Sequence, residues 1–248
     1  KMKMLKYERD GKGKYSEVDI PADLKAKAEK MREELVEKVA ETDESLMTKF
    51  FENGALTQEE LVQGLRSGIR SRKLFPLFCS AASHNIGTGS LLDCITDLCP
   101  NPTEMGAVMG ELPGSTPEAK KETQLACNPN AERVLFVFKT VSEPHVGELS
   151  FFRVYSGGIS PGLDLVNNNN GKFERMAQLY VMCGKERKEV AKVFAGDIAA
   201  VVKLKDTHTN NTLSGKSLSV KLPTVKFPAP VISMAIISKA KGDEDRMS

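Results

Sequence analysis

The apolar residues of this chain change period once, near residue 130, and that change narrows the fold more than any other feature. Before it, apolar residues recur every three or four positions. In ADLKAKAEKMREELVEKVAETDESL, Leu24, Ala28, Met31, Leu35 and Val39 make one helical stripe, with Lys and Glu on the other face as a solvated surface. Glu34 and Lys38 stand four apart in the favourable order. Asn53-Gly54 ends a second helical stretch. Thr57-Gln58-Glu59-Glu60 reads as a capping box opening a third helix, with Leu61, Leu65 and Ile69 inward. LFPLFCSA, from Leu74 to Ala81, is short and apolar throughout, as a buried strand would be. GTGSLLDCITDLCP reads as a helix stopped by Pro100.

From Asn101 to Asn130, Pro and Gly recur without periodicity, which predicts a linker holding the domain boundary. After it the chain reads as all β. ERVLFVFKT, ELSFFRVY, LDLVNN, RMAQLYVM, KEVAKVF, DIAAVVKL and PVISMAII are strand-like runs separated by Gly and Asn clusters, the pattern of a sandwich or barrel. In ELSFFRVY the alternation places Phe152 and Val154 inward, with Leu149, Phe151, Arg153 and Tyr155 on the opposite face. Ser156-Gly157-Gly158 and Pro161-Gly162 then predict abrupt turns.

Several chemistries are excluded or left without support. The five cysteines form no CxxC pair, so they argue for free thiols rather than a zinc site or disulfide framework. No apolar run reaches the ~18 residues a membrane helix needs. The P-loop pattern GxxxxGK[ST] is absent. His84, His145 and His208 are scattered in loop-like contexts, and CSAAS around Ser80 lacks the GxSxG elbow of a nucleophile. A net charge of +2 does not mark a dedicated nucleic-acid protein. Local basic runs remain: Lys185, Arg187, Lys188 and Lys192, then Lys203 and Lys205 on an apparent strand. They fit either a solvated surface or phosphate contacts with RNA.

Three stretches carry a resemblance. HVGELSFFRVYSGGISPG, AGDIAAVVKLKDTHTNNTL and FPAPVISMAIISKAKGDEDRM resemble successive parts of the second domain of bacterial translation elongation factor G and of the link to its third domain. Upstream, YSEVDIPADL and AETDESLMTKFFENGALTQEELVQGLR resemble the helical insertion of that factor's GTPase domain. FCSAASHNIGTGSLLDCITDLCPNP resembles the end of the GTPase domain. The resemblance implies an α+β multi-domain fold. Residues 1–100 would be the insertion and the last strand and helix of the GTPase domain, 101–130 a linker, 131–232 a Greek-key β-barrel, and 233–248 the start of a third domain.

The resemblance also implies an internal piece of a longer GTP hydrolase, lacking the phosphate-binding motifs. Ser80, Ala81 and Ala82 match the family's fifth guanine-nucleotide loop. GTP and Mg are implied for the full-length parent alone, with no catalytic or metal-binding residue in this stretch. Implied partners are the ribosome and its small-subunit RNA, with Lys185, Arg187, Lys188, Lys203 and Lys205 as contact candidates. The implied setting is cytoplasmic, without a membrane, and the segment monomeric. The alternatives are a divergent, weakly hydrolysing or non-hydrolysing ribosome-binding homologue, and a ribosomal-protection protein. The sequence departs from the family at Lys203, where glycine is usual, at Asn210-Asn211 for Gly-Asp, at Cys183 for a histidine, and in the polar run Asn167 to Asn170. These departures are expected in turns and on the RNA-facing surface.

Overall fold

The computed structural model describes residues 2–116, 118–143 and 147–235. The chain divides into two compact units, Lys1–Ala107 and one that begins at Val108. His145 and most of the expected third-domain segment lie outside the described residues.

The first unit opens with an antiparallel hairpin, β1 (Met4–Tyr7) and β2 (Tyr15–Val18), and continues with α1 (Ala22–Ala40), α2 (Glu44–Asn53), α3 (Gln58–Arg70) and α4 (Thr88–Leu98). Local chemistry sets the helix ends. Asp43 caps α2, accepting from the Ser45 and Leu46 N–H groups, and Gly54 closes it at φ +69°. The capping box of α3 is formed: Thr57 Oγ1 accepts from Glu60 N–H at 3.2 Å, and Glu60 Oε2 from Thr57 N–H at 2.9 Å. The three helices meet where α3 has no side chain. A Cβ on Gly64 would lie 2.4 Å from Val39 Cγ1 and 2.8 Å from Leu46 Cδ1.

Two expectations fail in this unit. The α1 stripe is buried only at Val39 and partly at Ala28; Leu24, Met31 and Leu35 are exposed. The reason is that the close approach at Gly64 grips only the C-terminal end of α1. Leu74 to Ser80 is not a strand, and Phe75 and Leu77 stand 82% and 93% exposed. A buried strand needs ladder partners. In this stretch the described residues supply one bridge, Ala81 to Ile86.

The second unit holds one curled, antiparallel eight-stranded sheet. Its strands are β5 (Val134–Glu143), β6 (Gly147–Ser156), β8 (Asp164–Asn167), β9 (Phe173–Arg175), β10 (Leu179–Cys183), β11 (Glu186–Val190), β13 (Ile198–Val202) and β14 (Asn211–Ser214), in the order β11-β10-β13-β6-β5-β14-β8-β9. Neighbours distant in sequence, β13 beside β6 and β14 beside β5, are what Greek-key connections produce. Two short strands, β7 (Gly158–Ile159) and β12 (Val193–Phe194), pair apart from the sheet. Phe152 and Val154 face inward as the alternation predicts. Both are fully buried in a core with Leu135, Leu165, Leu179 and Val201. Leu149 packs on the other face, with Ala200 and Val202.

The Gly- and Pro-rich stretch expected as a linker over 101–130 contains a hairpin, β3 (Val108–Glu111) and β4 (Glu122–Leu125). Glu111 exchanges two 2.8 Å backbone hydrogen bonds with Lys221. Leu125 joins Val134, Phe136, Val220 and Leu222 in a second core. Four-residue strands are too short to show a period, so turn residues dominate the pattern. β14, in the interior of the sheet, escapes sequence reading because NTLS carries one apolar residue. PVISMAII has no strand over its described part, residues 230–235.

Candidate nucleic-acid interface and guanine loop

The basic candidates fall on two differently built loops. Lys185 follows Gly184 in the two-residue loop of the β10–β11 hairpin, and Gly184 takes φ +60°. Arg187 lies opposite Met182 and Lys188 opposite Val181. Consecutive strand residues point to opposite faces, so the run is split across both sides of an exposed ribbon, with Glu186 and Glu189 interleaved. It does not make one three-cation patch.

Lys203 and Lys205 are not on a strand. β13 ends at Val202 because Lys203 takes φ +63°; Leu204 then turns inward between the two exposed lysines. The alternation of Lys203, Leu204 and Lys205 imitates a strand, but a left-handed residue breaks the ladder. Glycine reaches this conformation without steric cost, whereas a lysine there is strained.

A buried polar network holds this second loop. Glu174 on β9 is 3% exposed. Its carboxylate accepts from Lys205 N–H at 3.1 Å, Asp206 N–H at 2.7 Å and the Thr207 hydroxyl at 2.9 Å. Three donors offset the cost of burying the charge. Asn167, fully buried, donates to Asp206 O, Thr207 Oγ1 and Asn211 Oδ1. Asn168 reaches Ser214 Oγ and Val220 O, Asn169 Oδ1 accepts from Thr212 N–H, and Asn170 donates to Asp206 O at 2.7 Å. Lys172 pairs with the Asp206 carboxylate. The asparagine run, expected in a turn or on an RNA-facing surface, lies at the end of β8 and in the β8–β9 turn. Asn167 is buried, Asn169 and Asn170 are exposed, and the side chains tie the turn to the loop before β14 and to the chain after it. Sequence reading misses Glu174 entirely, because a lone glutamate between Phe173 and Arg175 looks like any solvated one.

Asn210 also takes a positive φ, +74°. Its side chain does more than tolerate the turn. Nδ2 donates to Val225 O at 3.1 Å and Oδ1 accepts from Val225 N–H at 2.8 Å.

Ser80, Ala81 and Ala82 sit in a tight reversal of the first unit. Ala81 and Ile86 exchange backbone hydrogen bonds at 3.0 and 3.1 Å around a 3-10 turn, Ala82–His84. Gly87 closes the loop at φ +74°, and a Cβ there would lie 2.8 Å from Cys79 O. Ser80 and Ala82 are exposed and Ala81 is half-buried. Among the described residues, no three His, Cys, Asp or Glu side chains gather as a metal site. No helix there is long and apolar enough to cross a membrane.

Comparison with known proteins bears on both units. Residues 133–216 match the family Elongation factor G domain 2. A crystal structure of a protein from Thermus thermophilus has the same fold over 99% of this chain, with a TM-score of 0.75 and 26% sequence identity. The match covers 34% of that protein, so this chain spans about a third of its length. The architecture is thus α+β, with a second-domain barrel of the translation-factor type. The family match is confined to residues 133–216, which are similar to an elongation factor G domain 2.

Proposed function

We propose that this chain is part of a cytoplasmic, ribosome-binding translational GTPase that promotes tRNA–mRNA translocation. The observation that carries the reading is the elongation factor G domain 2 match over residues 133–216, extended by the fold likeness through both units. In this reading the chain works as a monomer. The barrel docks on small-subunit ribosomal RNA through Lys203 and Lys205 on the loop braced by Glu174, with Lys185, Arg187 and Lys188 on the exposed ribbon of the β10–β11 hairpin as outer contacts. The reversal at Ser80, Ala81 and Ala82 forms a wall of the guanine pocket. Bound GTP, with Mg, supplies the γ-phosphate whose loss switches the parent's conformation. The phosphates need a cradle that these residues do not form, because the chain has no GxxxxGK[ST] pattern. A weakly hydrolysing or non-hydrolysing homologue is the second reading, favoured by the departures at Cys183, Lys203 and Asn210.

Ribosome binding measured at two ionic strengths tests the docking surface. Replacing Lys203 and Lys205 with alanine is expected to weaken binding and to flatten the log–log salt dependence by about 0.9 for each phosphate no longer neutralised. Equal affinity and equal slope for variant and wild type would remove this loop from the interface.

A further inference from the structure

One end of the barrel gathers polar oxygens that the fold itself leaves unused. The inner face of β6 is apolar at Phe152 and Val154, both fully buried, and turns polar toward the start of the strand, at Ser150 and Glu148. Across the ladder, Ser150 lies opposite Thr140 of β5, and Glu148 opposite Ser142. Residues paired in this way share a face, so Thr140 and Ser142 stand on the same inner side. Thr209, from the loop between β13 and β14, joins them, its hydroxyl donating to Thr140 Oγ1 at 3.2 Å. On the other flank Ser150 lies opposite Val201 of β13, which is buried in the main core together with Leu204.

Two of these oxygens are buried without a partner. Ser150 is 1% exposed, and its Oγ makes no hydrogen bond among the described residues. Glu148 Oε1 is likewise shielded from solvent and unpartnered. Glu148 also has no ion pair among the described residues. Glu174 is the contrast: its carboxylate, buried in the same barrel, meets two N–H groups and a hydroxyl. A shielded carboxylate oxygen and a buried hydroxyl that meet nothing are costly, and such groups mark a bound water or ion. A water leaves the Glu148 charge uncompensated, whereas a cation neutralises it.

The donor set selects the ion. Carboxylate and hydroxyl oxygens are hard ligands, suited to alkali and alkaline-earth ions rather than to zinc or copper. Calcium is ordinarily held by several carboxylates and carbonyls, and magnesium keeps most of its water. One carboxylate balances one charge, and hydroxyl oxygens replace the hydration shell as carbonyl oxygens do for potassium in a filter.

We propose that Glu148 and Ser150, with Thr140 and Thr209, bind a monovalent cation, sodium or potassium, at this end of the barrel. The ion meets the Glu148 carboxylate and the hydroxyl oxygens. It fastens the start of β6 to the loop after β13, whose first residue, Lys203, already donates its N–H to Glu148 O at 3.2 Å. The site lies on the inner face of the sheet, and the proposal does not depend on the ribosome reading.

The test is thermal unfolding of the chain, followed by circular dichroism, in sodium, potassium or tetramethylammonium chloride at one ionic strength. At about ten times its dissociation constant, the bound ion is expected to raise the midpoint by about 3–6 °C over tetramethylammonium, which is too large to enter. The rise saturates, and the ion that gives it at the lower concentration is the better fit. Glu148→Gln keeps the shape and removes the charge, and is expected to abolish the difference between salts. Ser150→Ala is expected to raise the half-saturating concentration about tenfold, the usual effect of losing one charge-assisted contact. The sodium nuclear resonance gives a second reading. The wild type broadens it, excess potassium reverses the broadening, and Glu148→Gln leaves it sharp. If a variant fails to fold, this wild-type displacement carries the test. Equal midpoints in the three salts, with no sodium broadening, overturn the proposal. So does a difference between salts that a folded Glu148→Gln retains. A saturable rise with calcium chloride and none with sodium or potassium also overturns it, because the site then takes a divalent ion.

Discussion

The helical unit and the β-rich unit keep their shape by different means. The sheet closes over its own core: Leu135, Val137, Phe152, Val154, Leu179 and Leu213 are each 0% exposed. The helical unit buries Val39, Ala40, Leu61 and Cys94, yet leaves Leu24, Met31, Phe51, Phe75, Leu77 and Leu92 open. Its order comes instead from capped helix ends, from Gly64 letting Val39 approach, and from the Lys49–Glu60 pair between α2 and α3. A large apolar residue therefore has a different physical meaning in each unit. In the sheet it is core. Between Leu74 and Ser80, and on the outer face of α4, it is surface that the described residues do not cover.

The strongest way to break this comparison is a pair of truncations. Phe152→Ala is expected to destabilise the protein by about 3–5 kcal/mol, the usual cost of removing a fully buried aromatic side chain. Leu77→Ser is expected to stay within about 0.5 kcal/mol, as exposed substitutions do. Chemical denaturation measures both. Similar losses would mean that Leu77 is covered and that the helical unit has a core of its own.

The same contrast explains how much is legible without the structure. The inward placement of Phe152 and Val154 follows from alternation alone, and the capping box at Thr57 and Glu60 from four letters. Both are local rules that tertiary context reinforces. The Leu74 to Ser80 run misleads because a strand is a pairing, and pairing partners are not encoded within the run. Glu174 and Asn167 mislead for the opposite reason. Polar residues read as solvated, and only the chain path, which brings residues 205–211 against them, shows that their carboxylate and amide groups are engaged. For the RNA candidates, composition finds Lys203 and Lys205 but cannot see the left-handed turn presenting them.

The two left-handed residues of the barrel sharpen the point at smaller energies. Lys203 holds φ +63° and its side chain projects into solvent, so Lys203→Gly is expected to stabilise by roughly 0.5–1 kcal/mol by removing the steric cost. Asn210 holds φ +74°, but its side chain clamps Val225 through two hydrogen bonds. Asn210→Gly is expected to destabilise by about 1 kcal/mol, since the bonds outweigh the relief for a residue that tolerates this region. Opposite shifts in thermal midpoint would confirm the distinction. Shifts of the same sign would show that backbone strain alone governs both turns.

The smallest expected effect belongs to the helical unit and comes from charge. The Lys49 ammonium, then the Thr57 N–H and hydroxyl, hold the Glu60 carboxyl well below its usual range, at about 2. A carboxylate whose folded-state value is lowered stabilises the fold above its ordinary value, and that contribution is lost as pH falls toward the folded value. Glu60 is only half-buried and its partner Lys49 is exposed, so screening keeps the effect small. The wild type is expected to melt slightly above Glu60→Gln at neutral pH, with the gap closing from about pH 4.5 down to about pH 2. The neutral variant keeps the side-chain length and the acceptor oxygen, so the comparison removes charge and leaves the cap geometry intact. Helical circular dichroism of both proteins across that range measures it. A gap that persists unchanged at pH 2 would show that the α3 cap works through the neutral hydrogen bonds alone, and that the Lys49 pair adds nothing to the joining of α2 and α3.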